Sequence, residues 1–161
     1  MFTPQTTSAA DKPALYDDLA GQLSGLLAGE SDFIANAANM AALLFNTLPD
    51  LNWAGFYLMK AGELVLGPFQ GKPACVRIAV GKGVCGTAVA RRASILVEDV
   101  EAFPGHIACD AASRSELVVP LIQDEAVIGV LDLDAPVTGR FDAEDQTGCE
   151  RLVEIFLAHM P

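Results

Sequence analysis

Three of the four cysteines, Cys75, Cys85 and Cys109, stand in sequence rich in glycine and proline: Gly71-Lys72-Pro73-Ala74-Cys75, Gly83-Val84-Cys85-Gly86 and Pro104-Gly105-His106-Ile107-Ala108-Cys109. Such sequence favours turns and loops, where a side chain can face a ligand instead of a core. A thiolate placed there can attack an electrophilic sulfur or oxygen and be left as a sulfenic acid, which a second thiol condenses to a disulfide. Cys109 is the preferred attacker. After Pro104-Gly105, the successive backbone N–H groups of Ile107, Ala108 and Cys109 can point inward and favour a thiolate or a bound carboxylate. Cys75 and Cys85 are both available to resolve it. Zinc fits less well, because only His106 to Cys109 resembles ligand spacing and there is no CxxC pair; no metal is expected. Cys149 falls within a helical pattern and reads as a small apolar residue.

A second group is acidic. Asp132 and Asp134 end an apolar stretch and lie two apart, so in a strand their carboxylates share a face, where mutual repulsion asks for a cation or a proton. The same period places Trp53, Gly55 and Tyr57 on one face and Ala54, Phe56 and Leu58 on the other, with a gap between the two rings over the glycine.

The elements that must position these groups follow from periodicity. Leu15, Leu19, Leu23, Leu26 and Leu27 predict a helix from Pro13 to about Leu27, stopped by Gly29. Ser31 reads as the N-cap of a second helix carrying Phe33, Ile34, Ala37, Met40, Ala41 and Leu44, which closes near Leu48 before Pro49. Trp53–Lys60 and Glu63–Leu66 predict a hairpin turned at Ala61-Gly62, and Val76–Val80 a third strand. Thr87–Arg92 predicts a short helix whose N-terminal turn holds Cys85-Gly86. Ile95–Glu98 is a short strand, and Asp99–Ser115 a long segment of the kind that is usually functional. Leu117–Ile122 and Ala126–Leu133 are the clearest strands. Asp142, with Asp145 at N3, caps a last helix running to about His159. Hairpins with helices on one face make an α+β arrangement.

Length and charge exclude several classes. At 161 residues with 52% apolar and 19% charged residues, the chain suits one globular domain, with residues 1–11 as a loose leader. A formal net charge of −11 repels phosphate backbones and anionic lipid, so neither nucleic acid nor membrane is an expected partner. The N-terminus has no basic or continuously apolar export signal, and a cytoplasmic setting is expected.

On these residues the chain closely resembles the free methionine-(R)-sulfoxide reductases, which are built on a single GAF domain. The resemblance covers about Leu51 to Leu152. It rests on Asn52-Trp53-Ala54-Gly55-Phe56-Tyr57, Gly67 through Cys75, Gly83-Val84-Cys85-Gly86-Thr87, Ala102 through Ser115 leading to Glu116, and Gly129-Val130-Leu131-Asp132-Leu133-Asp134.

It implies an antiparallel sheet of about six strands, with helices from both termini on one face and active-site loops on the other. It further implies Cys109 as attacking thiol, Cys75 as resolving partner and Cys85 as an alternative or accessory thiol. Trp53 and Tyr57 would line the slot for the substrate's methyl and thioether end. Glu116, Asp132 and Asp134 would hold the amino group of a free amino acid, one of them remaining protonated to assist at the sulfoxide oxygen. The implied substrate is free methionine sulfoxide and the implied reductant thioredoxin, with no organic or metal cofactor. Apart from the resemblance, a homodimer would form through the first helices. The competing class is a GAF sensor of small ligands or of redox state.

Overall fold

The computed structural model describes residues 1–4 and 11–161, so the expected leader falls largely outside the described residues. Two helices lead the chain. α1, Lys12–Leu27, is capped by the Asp11 carboxylate, which accepts from the Ala14 N–H, and has Pro13 in its first turn, where the missing N–H costs nothing. α2, Phe33–Thr47, is capped by Asp32 and not by Ser31: the Asp32 carboxylate takes the Ala35 N–H at 2.8 Å, while the Ser31 N–H is itself held by Glu30.

Six strands form one antiparallel sheet in the order β3-β2-β1-β6-β5-β4. They are β1 Trp53–Lys60, β2 Glu63–Gly71, β3 Arg77–Ala79, β4 Ile95–Val97, β5 Ser115–Gln123 and β6 Ala126–Ala135. β2 runs five residues beyond the expected end at Leu66, through Gly67-Pro68. Proline is tolerated there because β3 pairs only with Glu63, Leu64 and Val65, leaving the later part of β2 as an edge that needs no outward N–H. β5 and β6 are joined by two residues, Asp124 and Glu125, both at positive φ as a tight hairpin turn requires.

α3, Gly83–Arg91, starts four residues earlier than expected, and Cys85 lies in its N-terminal turn as expected. The long segment before β5 contains a short 3₁₀ turn, Val100–Ala102. α4, Ala143–Ala158, has the expected capping box between Asp142 and Asp145.

The two sheet faces differ in kind. α1, α2 and α4 cover one face, burying Leu19, Leu23, Met40, Leu44, Leu152 and Phe156 against Phe56, Leu117, Leu131 and Leu133. α3 and the connecting loops cover the other, over Trp53, Tyr57, Val118 and Val130. The α+β arrangement expected from the sequence is the one observed. Among the described residues no helix is long and apolar enough to cross a membrane.

α1 is fastened to α4 by a buried polar hub. Asp145 accepts from Tyr16 Oη at 2.7 Å, Lys12 Nζ at 2.7 Å and Arg140 Nη1 at 3.3 Å, and the Cys149 thiol points at the same Tyr16 hydroxyl. Cys149 is fully buried there, in the structural place expected of it. The Tyr16 ring reaches this hub by lying in the space left by Gly148, where an added Cβ would fall on the ring. Gly148→Ala is therefore expected to lower stability by about 1–3 kcal/mol through forced displacement of that ring, read as an earlier urea midpoint with an unchanged m-value.

Candidate active site

The sheet register brings the acidic residues together. Asp132 and Asp134 share a face of β6, as their spacing predicts, and β5 pairs so that Glu116 lies directly opposite Asp134 and Val118 opposite Asp132. On the other flank β1 places Trp53 opposite Asp134 and Gly55 opposite Asp132. One row across three strands thus reads Trp53, Asp134, Glu116, and the next Gly55, Asp132, Val118. They floor a pocket whose walls come from Lys72–Ala74, the start of α3 and the 106–113 segment.

This floor is buried: Glu116 is 6% exposed and Asp132 5%. Burial pushes all three carboxyls up. The charge of Asp132 and then Asp134 adds to this at Glu116, and Asp132 and then Asp110 add at Asp134. Raised together, the three carboxyls favour a proton held within the group. Among the described residues Asp132 Oδ1 has no hydrogen-bond partner. Such a floor welcomes a cation and repels phosphate.

The aromatic wall differs from expectation in one respect. No gap separates the rings over Gly55. Phe69 of β2 occupies the space the glycine leaves and stacks on Trp53 with centroids 5.2 Å apart, while Tyr57 stacks on Trp53 at 5.8 Å. The polar atoms of the wall have a further task. Trp53 Nε1 donates to the Lys72 carbonyl at 3.1 Å and the Tyr57 hydroxyl to the Cys75 carbonyl at 2.9 Å, fixing the loop that carries Cys75.

Cys75 and Cys109 are joined in a disulfide, with Cα atoms 5.4 Å apart across a sequence separation of 34. Both are partly exposed, so an external thiol can reach them. Of the two candidate partners for Cys109, the fold brings up Cys75.

Cys85 is elsewhere: it is 3% exposed at the start of α3, with its Sγ 4.0 Å from Glu116 Oε1. Burial, and then the charges of Asp132, Glu116 and Asp134, push its thiol well up. It sits on the acidic floor and not on the wall beside Cys75.

The backbone nest expected at 107–109 is only partly available. The Cys109 N–H donates to the Ile107 carbonyl at 3.1 Å, and Ala108 is exposed and does not line the pocket, whereas Ile107 does. The nest fails because the segment turns on itself through that Cys109-to-Ile107 bond.

Sequence reasoning missed the support for this segment. Asn52 Nδ2 bonds Asp110 Oδ2 at 3.1 Å and Ser113 Oγ at 3.0 Å, tying the residue after Cys109 to the residue before Trp53. Asp-x-x-Ser after a lone asparagine has no local signature; only the fold brings them together. His106 stands with Nε2 3.8 Å from Glu116 Oε2, and burial lowers its imidazole below the usual value.

A six-stranded antiparallel sheet with terminal helices on one face and a loop-roofed pocket on the other is the architecture of GAF domains, and the GAF domain family model matches residues 35–156. The chain is 57% identical over 143 residues to the free methionine-R-sulfoxide reductase of Escherichia coli (strain K12), covering 89% of this chain and 87% of that protein. Among solved structures, the free methionine-R-sulfoxide reductase from Neisseria meningitidis in complex with its substrate aligns with a TM-score of 0.94 at 44% identity, covering 99% of this chain and 95% of that one. The reduced form of fRMsr of Staphylococcus aureus aligns with a TM-score of 0.89 at 49% identity over 100% of both chains. The chain belongs to the free methionine-R-sulfoxide reductase family.

The floor carries a signature in stability. A carboxyl whose folded pKa is raised keeps its proton where the unfolded chain has lost it. Its contribution is thus most favourable below the unfolded value of about 4 and is lost as pH rises toward the folded value. Stability of the unliganded protein is expected to fall as pH rises above the unfolded carboxyl value of about 4, and Asp132→Asn to flatten that slope by relieving Glu116 and Asp134. Urea midpoints measured from that value upward for both proteins test it.

Proposed function

We propose that this protein reduces free L-methionine (R)-sulfoxide to methionine by a thiol cycle. The observation that carries the reading is the Cys75–Cys109 disulfide at the mouth of a pocket floored by Glu116, Asp132 and Asp134. The identity to the E. coli reductase supports it.

In this cycle the substrate's ammonium group pairs with the carboxylates, Asp132 Oδ1 being the atom without a partner, and its thioether end lies against Trp53 and Tyr57. The Cys109 thiolate attacks the sulfoxide sulfur while a protonated carboxyl of the Glu116, Asp132 and Asp134 group gives its proton to the oxygen. General-acid help of this kind is worth roughly 10² to 10⁴ in rate. The oxygen passes to Cys109, methionine leaves, and Cys109 is a sulfenic acid. The Cys75 thiol then displaces water from it, forming the disulfide and completing a two-electron oxidation of the protein.

A dithiol reductant of the thioredoxin type restores both thiols and is itself oxidised, which places the cycle in a reducing compartment such as the cytoplasm. Ile107 closes the wall beside Cys109, and Ala108 lends backbone when the segment opens. Cys85 serves as an accessory thiol beneath the substrate. Pairing of two chains through α1 and α2, where Ile34 is 55% exposed, completes the reading.

The test is NADPH oxidation in a mixture of the protein, thioredoxin, its reductase and either epimer of free methionine sulfoxide or an N-acetylated, amidated form. Turnover is expected with the free R epimer alone and is expected to be abolished by Cys109→Ser. Equal turnover of the blocked substrate would overturn the role of the carboxylates, and no turnover above the Cys109→Ser background would leave the protein a sensor. After one turnover without reductant, Cys85 and Cys149 are expected to remain alkylatable on unfolding and Cys75 and Cys109 to be protected.

A further inference from the structure

The proposed reaction uses the carboxylates as a cradle for an ammonium group, but it does not require a thiol among them. We propose that Cys85, Glu116 and Asp132 form a binding site for a soft divalent cation, Zn²⁺ or Cd²⁺, which the substrate's ammonium group excludes. The shared-site part of this proposal rests on the reading above; the metal site itself does not.

Three features on the pocket floor carry it. The Cys85 Sγ, a Glu116 oxygen and an Asp132 oxygen all lie within 4.8 Å of one another. Ligand bonds of about 2.3 Å to sulfur and 2.0–2.2 Å to oxygen put tetrahedral neighbours roughly 3.5 Å apart. The 4.0 Å between Cys85 Sγ and Glu116 Oε1 is close to this and needs only a small inward turn of either side chain. The second feature is independent of the clustering: Asp132 lines the pocket, is 5% exposed, and among the described residues its buried Oδ1 has no partner, so the site holds an unused acceptor. The third is the donor set. Thiolate with carboxylate selects borderline-soft cations over Mg²⁺ or Ca²⁺, which want oxygen throughout. All three side chains line the pocket, from which further ligands could come, and His106 Nε2 lies 3.8 Å from Glu116 Oε2.

The ligands come from two sources with different rigidity. Glu116 and Asp132 are fixed by the β5–β6 register, and Cys85 by the first turn of α3, where Gly86 lies against the Ala79 carbonyl too closely to admit a side chain. A cation is therefore met by a largely preformed triad. It would occupy the space of the ammonium group, so binding of the two is mutually exclusive.

The probe is Cd²⁺ added to a Cys75→Ser/Cys109→Ser protein, in which the two redox thiols cannot contribute and only Cys85 and Cys149 remain. Expected is one Cd²⁺ bound per chain with a thiolate-to-metal charge-transfer band in the ultraviolet. The band should be lost on further Cys85→Ser, retained on Cys149→Ser, and shifted to weaker affinity by about tenfold or more with Asp132→Asn. Circular dichroism of each variant checks that the fold is kept, and Glu116→Gln supplies a second ligand deletion should Asp132→Asn unfold. No band in the starting protein, or a band that survives Cys85→Ser, overturns the site.

Displacement of the band by free methionine, and not by N-acetylmethionine amide, is expected. Undiminished Cd²⁺ affinity at saturating methionine would overturn the shared position. Failure of the reductase assay would leave the band in place, so the two readings fail separately.

Discussion

The constraint on which the rest of this molecule depends is the burial of three carboxyl groups on adjacent strands. Putting one ion into a protein interior costs several kcal/mol even after relaxation, and putting like charges beside one another raises that cost. The fold meets it in two ways. A proton held within the group removes one of the charges, and the opposite face of the same strands is mostly apolar. Leu117, Leu131 and Leu133 alternate with Glu116, Asp132 and Asp134 and pack under α1, α2 and α4. Each such leucine is worth about 2–5 kcal/mol against truncation to alanine. The acidic face is therefore carried by its own reverse side, residue against residue along two strands.

The aromatic wall couples this floor to the redox pair. Trp53 and Tyr57 are spaced from the carboxylates by the β1–β6 register, and each ends in a hydrogen bond to a carbonyl of the loop bearing Cys75. On the opposite wall, Asn52 holds Asp110, the neighbour of Cys109, while its own backbone N–H bonds the Asp134 carbonyl. Both cysteine-bearing segments are thus anchored within one residue of the same row of the sheet. The position of the thiols relative to the charged floor is set by sheet geometry, even though the thiols themselves sit in loops.

Some of this was legible from residue order because it is local. The Asp132/Asp134 pair depends only on strand period, the Asp142–Asp145 capping box only on helix spacing, and Cys149 only on lying in an apolar helical stripe; each lies as read. What escaped residue-by-residue reading depends on contacts made elsewhere. Gly67-Pro68 signals a turn, yet β2 continues because its outer neighbour has already ended. Glu116 has no strand partner on its own face within its local sequence; it joins the acidic group only through cross-strand pairing, so the resemblance, not the spacing, pointed to it. Ser31 and Asp32 are both good caps, and the helix begins one residue later than Ser31 would set it, so that the Asp32 carboxylate takes the Ala35 N–H. Cys85 shares glycine-rich context with Cys75, but Gly86 beside it serves close packing of α3 against the end of β3.

In the cycle proposed above, the floor lets charge discriminate where shape cannot. A methionine sulfoxide side chain looks much the same in a free amino acid and in a peptide, and a pocket lined by Trp53, Tyr57 and Ile107 can recognise it in either. The difference lies at the nitrogen, which is an ammonium in one and a neutral amide in the other. Against an amide, the floor must keep its repulsion and leave an acceptor such as Asp132 Oδ1 unpaired, a cost of roughly 1–3 kcal/mol or more for a charged group. Against an ammonium the same oxygen is paired and the repulsion is relieved. Rejection therefore needs no steric barrier: it arises from the ion burial that the rest of the sheet is built to withstand.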